Sequence, residues 1–262
     1  MNIIVCIKQV PGTSNVKVDP VTGVLIRDGV ESKMNPYDLY ALETALKLKE
    51  EYGGTVKVIT MGPFAAKEVL MEAIYMGADS GVLVSDRRFA GADVLATSRT
   101  LSSAIAASGD FDLILCGKQT TDGDTAQVGA EIAEYMNLPH FANVKTITQN
   151  TKDSITVVSE LGATIQTAIA TLPCVCCADA DINTPRLPSY KRKCEANGKD
   201  ELITVLSLDD FEDNDPNHYG LSGSPTQVER IFPPEKNTDR EFIESNDAGA
   251  KVFEILKNKK FI

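Results

Sequence analysis

The chain has 262 residues and a formal net charge of −11, long enough for one large α/β domain or a core with an appendage, with no need of a metal or disulfide to fold. The acidic balance excludes a nucleic-acid partner, because phosphate neutralisation needs clustered Lys and Arg, and the one compact basic run is Lys191, Arg192 and Lys193.

From the N-terminus, Ile3 to Ile7 reads as a short apolar strand with no basic leader before it, and no apolar run is long enough to span a bilayer. A cytoplasmic location without membrane insertion is therefore expected. Asn35-Pro36 supplies an N-cap and a proline at the first helical position, and Leu39, Leu42, Ala45 and Leu46 recur at helical spacing up to Gly53-Gly54. Val56 to Met61 is the next strand, Gly62-Pro63 starts a helix through Met76, and Ser80 to Val84 is a further strand. Asp93 opens a helix to about Ala107, Leu113 to Cys116 is a strand, and Thr125 to Met136 is the helix after it. This alternation predicts a doubly wound, mostly parallel sheet of about five strands.

Ligands of such sheets bind beyond the carboxyl ends of the strands, where the strand order reverses. Cys6 to Lys8, Met61 to Pro63, Asp86 to Asp93 and Lys118 to Gly129 all follow strand ends and are expected to converge there. The most informative stretch is Asp112 to Gly129, DLILCGKQTTDGDTAQVG. A strand, a loop of small and acidic residues and a helix start place free N–H groups and a positive helix end at one point, which suits a phosphate. The loop lacks the Lys-Ser or Lys-Thr pair of a nucleoside-triphosphatase and the three-glycine dinucleotide fingerprint. An ordinary strand-to-helix connection capped by Asp124 or Thr125 is the competing reading.

After Pro139 the pattern changes, with β-like runs at Val144 to Thr148, Ile155 to Glu160, Thr164 to Ala168 and Cys174 to Ala178 between Asn, Asp and Gly turns. They predict a small antiparallel extension. Asp209 to Asp239 holds four prolines and many Asp and Asn; it reads as an extended arm that is either a flexible tail or a wrap around a partner subunit. An amphipathic helix, roughly Ala248 to Lys257, follows. Residues 1–200 are thus assigned to a nucleotide- or flavin-binding domain, and 201–262 to an arm and helix that contact a partner.

Four of the six cysteines (Cys6, Cys116, Cys174, Cys176, Cys177 and Cys194) lie in apolar β-like runs, as reduced structural thiols do. The CVCC spacing does not match zinc or iron–sulfur ligand pairs, and His140 and His218 stand far apart, so no metal site is expected.

Several segments together resemble the β subunit of electron-transfer flavoproteins: IVCIKQVPGT at Ile4 to Thr13, MNPYDLYALETALKLKE at Met34 to Glu50, TMGP at Thr60 to Pro63, AIYMGAD at Ala73 to Asp79, GKQTTDGDTAQVG at Gly117 to Gly129 and DINTPRLPS at Asp181 to Ser189. The resemblance implies a heterodimer with a larger α subunit that carries a shuttling FAD. The site in this subunit then holds either AMP, as in respiratory members, or a second FAD that accepts hydride from NADH, as in electron-bifurcating members. RRFAGADVLATS, Arg87 to Ser98, looks like the bifurcating version. Its small residues, Gly91, Ala92 and Ala96, would leave room for the flavin, with Phe89 beside them and Asp93 and Thr97 as polar anchors.

The resemblance places Cys6 and Met61 at the adenine, mostly through backbone groups, with Asn35, Pro36, Tyr37 and Asp38 shaping its side of the pocket, and Lys8, Gly62 and Pro63 are counted with them as cofactor-binding residues. Lys118, Gln119, Asp122, Gly123, Asp124, Thr125, Ala126, Gln127, Val128 and Gly129 would form the ribose and phosphate cradle, the two aspartates as ribose or backbone acceptors. No side chain is required as a general acid or base, and no catalytic residue is assigned. Pro185, Arg186, Tyr190, Lys191, Arg192 and Lys193 fall in the partner-recognition segment, where Tyr190 and a basic run stand in place of the respiratory apolar anchor. The implied electron acceptors are ferredoxin or flavodoxin and, through the α-subunit FAD, an acyl-CoA or 2-hydroxyacid dehydrogenase. A nucleotide-sensing module without redox function shares the fold grammar and is the rival.

Overall fold

The computed structural model describes residues 1–12, 17–18, 25–26, 32–228, 240, 242–243 and 247–262. The first part of the chain runs β1 (Asn2–Cys6), β2 (Gln9–Pro11), β3 (Lys17–Val18), β4 (Leu25–Ile26), β5 (Ser32–Met34), α1 (Pro36–Tyr52), β6 (Thr55–Met61), α2 (Lys67–Met76), β7 (Ser80–Val84), α3 (Val94–Ala107), β8 (Leu113–Gly117) and α4 (Val128–Met136). There follow β9 (His140–Thr151), β10 (Ser154–Leu161), β11 (Thr164–Thr171), β12 (Cys174–Ala178), α5 (Tyr190–Ala196), β13 (Ile203–Leu206) and α6 (Ala248–Asn258).

Nine strands form one sheet in the order β11-β10-β9-β12-β8-β1-β6-β7-β13. All neighbours from β9 to β13 pair in parallel, and the β9–β10–β11 meander is antiparallel. From β1 the chain winds outward to β6 and β7, then returns to β8 on the other side of β1. The reversal opens a crevice at the carboxyl ends of β1 and β8, as a doubly wound sheet requires.

Pleating sends alternate side chains of each strand to opposite faces. Ile3 and Val5 join Leu42, Leu46 and Leu70 beneath α1 and α2, whereas Ile4 and Cys6 join Leu101, Ile105 and Ile132 beneath α3 and α4. Both faces are covered, which is why the central strands are apolar along their length.

The structure changes three expectations. Cys174–Ala178 belongs to the parallel sheet, between β8 and β9, and not to an antiparallel extension; its fully buried CVCCA run is typical of a strand covered on both faces. The helix expected from Thr125 begins at Val128, because Asp124 and Ala126 adopt left-handed backbone that no helix accommodates. The segment from residue 201 stays on the body at first. β13 pairs with β7, and Leu208, Phe211 and Tyr219 are buried. Phe211 stacks on Phe89 with ring centroids 5.6 Å apart, and Tyr219 tilts against both, so 207–226 forms a strap across the α3 side of the sheet. Residues 229–239 of the expected arm lie outside the described residues. In α6 the apolar residues Val252, Phe253 and Ile255 are exposed.

Among the described residues, no helix is long and apolar enough to cross a membrane. The six cysteines are free, and no cluster of described residues could hold a metal ion.

Candidate nucleotide site

The loop between β8 and α4 turns its main chain outward. Asp124 (φ 53°) and Ala126 (φ 55°) are left-handed while neighbouring residues are not. Such alternation gathers successive N–H groups into an anion-binding concavity and costs about 1–3 kcal/mol per strained residue. Among the described residues, the N–H groups of Thr125, Ala126, Gln127 and Val128 meet no acceptor. Gln127 sits at the N-cap without a side-chain cap, and neither Asp124 nor Thr125 caps the helix. The competing reading of an ordinary capped connection therefore fails on geometry: the donors are left open where α4 presents its positive end.

Gly129 seats this helix on the sheet. A Cβ there would overlap Cys177 Sγ and lie 3.5 Å from Cys116 Cβ. Cys6, Cys116 and Cys177 occupy matched positions on β1, β8 and β12 and form a buried row of thiols beneath the crevice. His140 Nε2 lies 3.4 Å from Cys177 Sγ. Cys116 and burial together push the Cys177 thiol well above its ordinary range.

The start of α1 departs from ordinary capping. Asn35 holds the N-cap position but its side chain does not cap. It donates to Gln119 O (2.8 Å) and accepts from Thr121 N (3.2 Å), gripping the loop after β8. Asp38 is buried beside it and accepts the N–H of Lys8 at 2.7 Å and that of Gly117. Gly117 is required there because a Cβ would overlap Asp38 Oδ1. Burial pushes the Asp38 carboxyl up to about 7, against the hydrogen bonds from Asn35 and Lys8. Pro36 and Tyr37 are half-buried alongside.

Two lysines flank the loop. Lys8 Nζ pairs with Asp122 at 2.7 Å, and Lys118 Nζ with Asp179 at 3.2 Å. Burial works to raise both carboxyls, but Lys8 and Lys118 hold them below the usual range. Asp122 Oδ1 also accepts from Gly123 N, and Asp124 Oδ1 accepts from Gln119 Nε2 at 2.6 Å, so both aspartates are backbone or side-chain acceptors of the loop itself. Asp179, which orients Lys118, was not among the expected residues. Recognising CVCCA as a buried parallel strand would have placed its carboxyl end in the crevice. Met61 and Gly62, half-buried, end β6 on the same side, and Gly62 N–H donates to Val84 O, with Pro63 exposed beyond them.

Arg87 to Thr97 is placed differently from expectation. Phe89 is core, stacked under the strap. Gly91 (φ 75°) is small because Leu221 Cβ would stand 3.2 Å from any Cβ there. Asp93 caps α3 through Ala96 N (3.1 Å) and receives Thr226 N and Oγ1 at 3.0 and 2.7 Å. Ala92 and Thr97 are half-buried in the same turn. These residues anchor the strap; the space they were expected to leave is partly taken by Leu221. Arg87 is exposed and without an ion pair among the described residues.

In the expected recognition segment, Arg186 turns inward. Its guanidinium spans Glu43 (2.8 Å) and Glu50 (2.5 Å) on α1, and its N–H donates to Glu43. Asn183 Nδ2 reaches Tyr40 O and Thr44 Oγ1. Asn183 and Arg186 thus fix the segment, with Pro185 half-buried between them, while Tyr190, Lys191, Arg192 and Lys193 on α5 are exposed. Leu187 is 87 % exposed and was missed. The only signal was a large apolar residue between an arginine and a proline in a loop.

These features define a doubly wound α/β protein whose switch-point crevice is lined by main-chain N–H groups without acceptors among the described residues. The electron transfer flavoprotein domain matches residues 22–209, and the chain belongs to that family. It is 45 % identical over 240 residues to the electron transfer flavoprotein subunit beta of Thermoanaerobacterium thermosaccharolyticum, covering 92 % of this chain and 90 % of that one. It is 41 % identical, over the whole of both chains, to the caffeyl-CoA reductase-Etf complex subunit CarD of Acetobacterium woodii. It is 39 % identical to protein FixA of Azorhizobium caulinodans, across 99 % and 95 % of the two.

Proposed function

We propose that this β subunit binds FAD in the crevice, with the AMP half on the β8–α4 cradle, and works in an electron-bifurcating flavoprotein with an FAD-bearing α subunit. The observation that carries the reading is the row of open N–H groups, Thr125 to Val128, at the switch point. When bound, the flavin would take hydride from NADH, sending one electron to ferredoxin or flavodoxin and the other by way of the α-subunit FAD to an acyl-CoA or 2-hydroxyacid dehydrogenase.

The chain's own part is binding and orientation. Thr125 to Val128 would donate to phosphate oxygens, Lys8 and Lys118 would balance their charge, and Cys6, Met61, Pro36 and Tyr37 would line the adenine side. Arg87 adds an exposed cation beyond the carboxyl end of β7. Likeness to a subunit named for a reductase-Etf complex, CarD, supports work within a larger redox assembly. Leu187 and Tyr190, exposed on a segment held by Arg186, form the proposed dehydrogenase contact, and the assembly is placed in the cytoplasm.

The AMP-holding form draws support from the strap, since Phe89 and Asp93 are engaged within the chain. Counting flavins in the purified heterodimer separates the two. Nearly two FAD per heterodimer is the expected result, and one FAD with one AMP overturns the bifurcating assignment.

A further inference from the structure

We propose that Asp38 is the positioning residue of this nucleotide site, its carboxylate tying the turn after β1 to the turn after β8 so that nucleotide is held more tightly at pH 8 than at pH 6. The inference rests on the nucleotide-binding reading above.

The crevice is made of two loops that no strand pairing joins beyond Cys6 and Cys116. Besides the exposed Lys8–Asp122 ion pair, what joins them is the first turn of α1. Asp38 accepts the N–H of Lys8, immediately past β1, and the N–H of Gly117, the last residue of β8. Asn35 donates to the same carboxylate and reaches on to Gln119 and Thr121. The cradle begins only a few residues further along that loop, so its donors are aimed by this junction.

Every hydrogen-bonding neighbour of the Asp38 side chain is an N–H donor. The ionised carboxylate offers lone pairs to all of them, whereas a protonated carboxyl turns a hydrogen toward donors and must release one. Protonation therefore loosens either the Lys8 or the Gly117 side of the junction. The side chain is buried, so water does not replace the lost partner without opening the turn.

The groups facing Asp38 are few. The end of β1 contributes Lys8, whose ammonium is paired with Asp122 of the loop, and β8 contributes Cys116. Burial presses hardest on Asp122, yet Lys8, Thr120 and Gly123 together hold it below the carboxylate range, and Cys116 stands above the thiol range, Cys6 and burial outweighing the hydrogen bond with Cys177. Burial instead leaves Asp38 at about 7, where a unit of pH either way changes its charge.

The test titrates the full-length chain with FAD, whose diphosphate keeps its charge across the range, and follows flavin fluorescence at about pH 6, 7 and 8. A carboxylate that must be ionised, with its midpoint near 7, predicts a dissociation constant about tenfold larger at pH 6 than at pH 8. Asp38→Asn keeps the shape of the side chain but presents an amide hydrogen to the donors. It is expected to bind FAD about tenfold more weakly at pH 8, with a flat profile across the range. A flat wild-type profile, tighter binding at pH 6, or an Asn variant with the wild-type profile overturns the proposal. If Asp38→Asn does not fold, the wild-type profile decides alone. Failure of both FAD and AMP to bind at any pH overturns the nucleotide-binding reading itself.

Discussion

Replacing Gly129 with alanine tests how the cradle is held. The added methyl would overlap Cys177 Sγ and reach within 3.5 Å of Cys116 Cβ and 3.6 Å of Cys116 Sγ. Ordinary contact requires about 3.5–4.0 Å, so α4 must retreat by roughly an ångström or Cys177 must rotate. Rotation is obstructed, since Cys177 is 7 % exposed and lies between Cys116 and His140. Overpacking of this kind costs about 1–3 kcal/mol, and the retreat carries the donors of Thr125 to Val128 with it. Gly129→Ala should lower the midpoint of thermal unfolding by about 3–8 °C for a chain of this size and weaken AMP binding in a calorimetric titration. Cys177→Ala removes the obstructing sulfur. The double variant should therefore be less destabilised than the sum of the two single variants by about 1–2 kcal/mol, a coupling read from a denaturant cycle. Additive losses would refute the account.

Three further perturbations address the buried charges and the strap. Burial raises Asp38 from 3.8 to about 7, so the folded chain binds this proton more tightly than the unfolded one; stability is full below about pH 4, falls between about 4 and 7, and by pH 8 has lost on the order of 4 kcal/mol. Asp38→Asn should flatten that part of the stability–pH curve between pH 5 and 8, and an unchanged slope counts against the assignment. Glu43→Ala strands the half-buried Arg186 and should cost about 2 kcal/mol in urea unfolding, against less than about 1 kcal/mol for Glu50→Ala; equal losses would contradict the inward clamp. Phe211→Ala removes one ring of the aromatic cluster at about 3 kcal/mol and should expose 207–226 to limited proteolysis before the sheet unfolds, a sequence that global unfolding would not show.

Much of the sheet was legible because each βα unit carries its own local signals. Asn35-Pro36 marks α1, Asp93 caps α3, and the apolar runs of β1, β6, β7 and β8 need nothing distant to define them. β12 was misplaced because CVCCA has no alternation, so periodicity could not separate a buried parallel strand from the neighbouring hairpins. The strand, loop and helix around the proposed cradle were legible, but the loop's backbone was not: two left-handed non-glycine residues have no composition signal. The misreading of Phe89, Gly91 and Asp93 has a single cause. Their partners Phe211, Leu221 and Thr226 lie more than a hundred residues away, and small or acidic residues at a helix start look alike whether they receive a ligand or a strap. The inward clamp of Arg186 was illegible for the same reason, since its acceptors belong to a helix far earlier in the chain.

Helix α1 meets the crevice at one end and the proposed recognition segment further along. Asp38 and Asn35 grip the turns after β1 and β8, and Glu43 and Glu50 grip Arg186. At 1.5 Å per residue, Asp38 and Glu50 are roughly 18 Å apart along one continuous helix. A rod of that length is stiff, so a tilt of about 3° at the crevice end displaces the far end by about 1 Å. Leu187, standing beside Arg186, thus shares a lever with the floor of the crevice, and movement at either end is mechanically audible at the other.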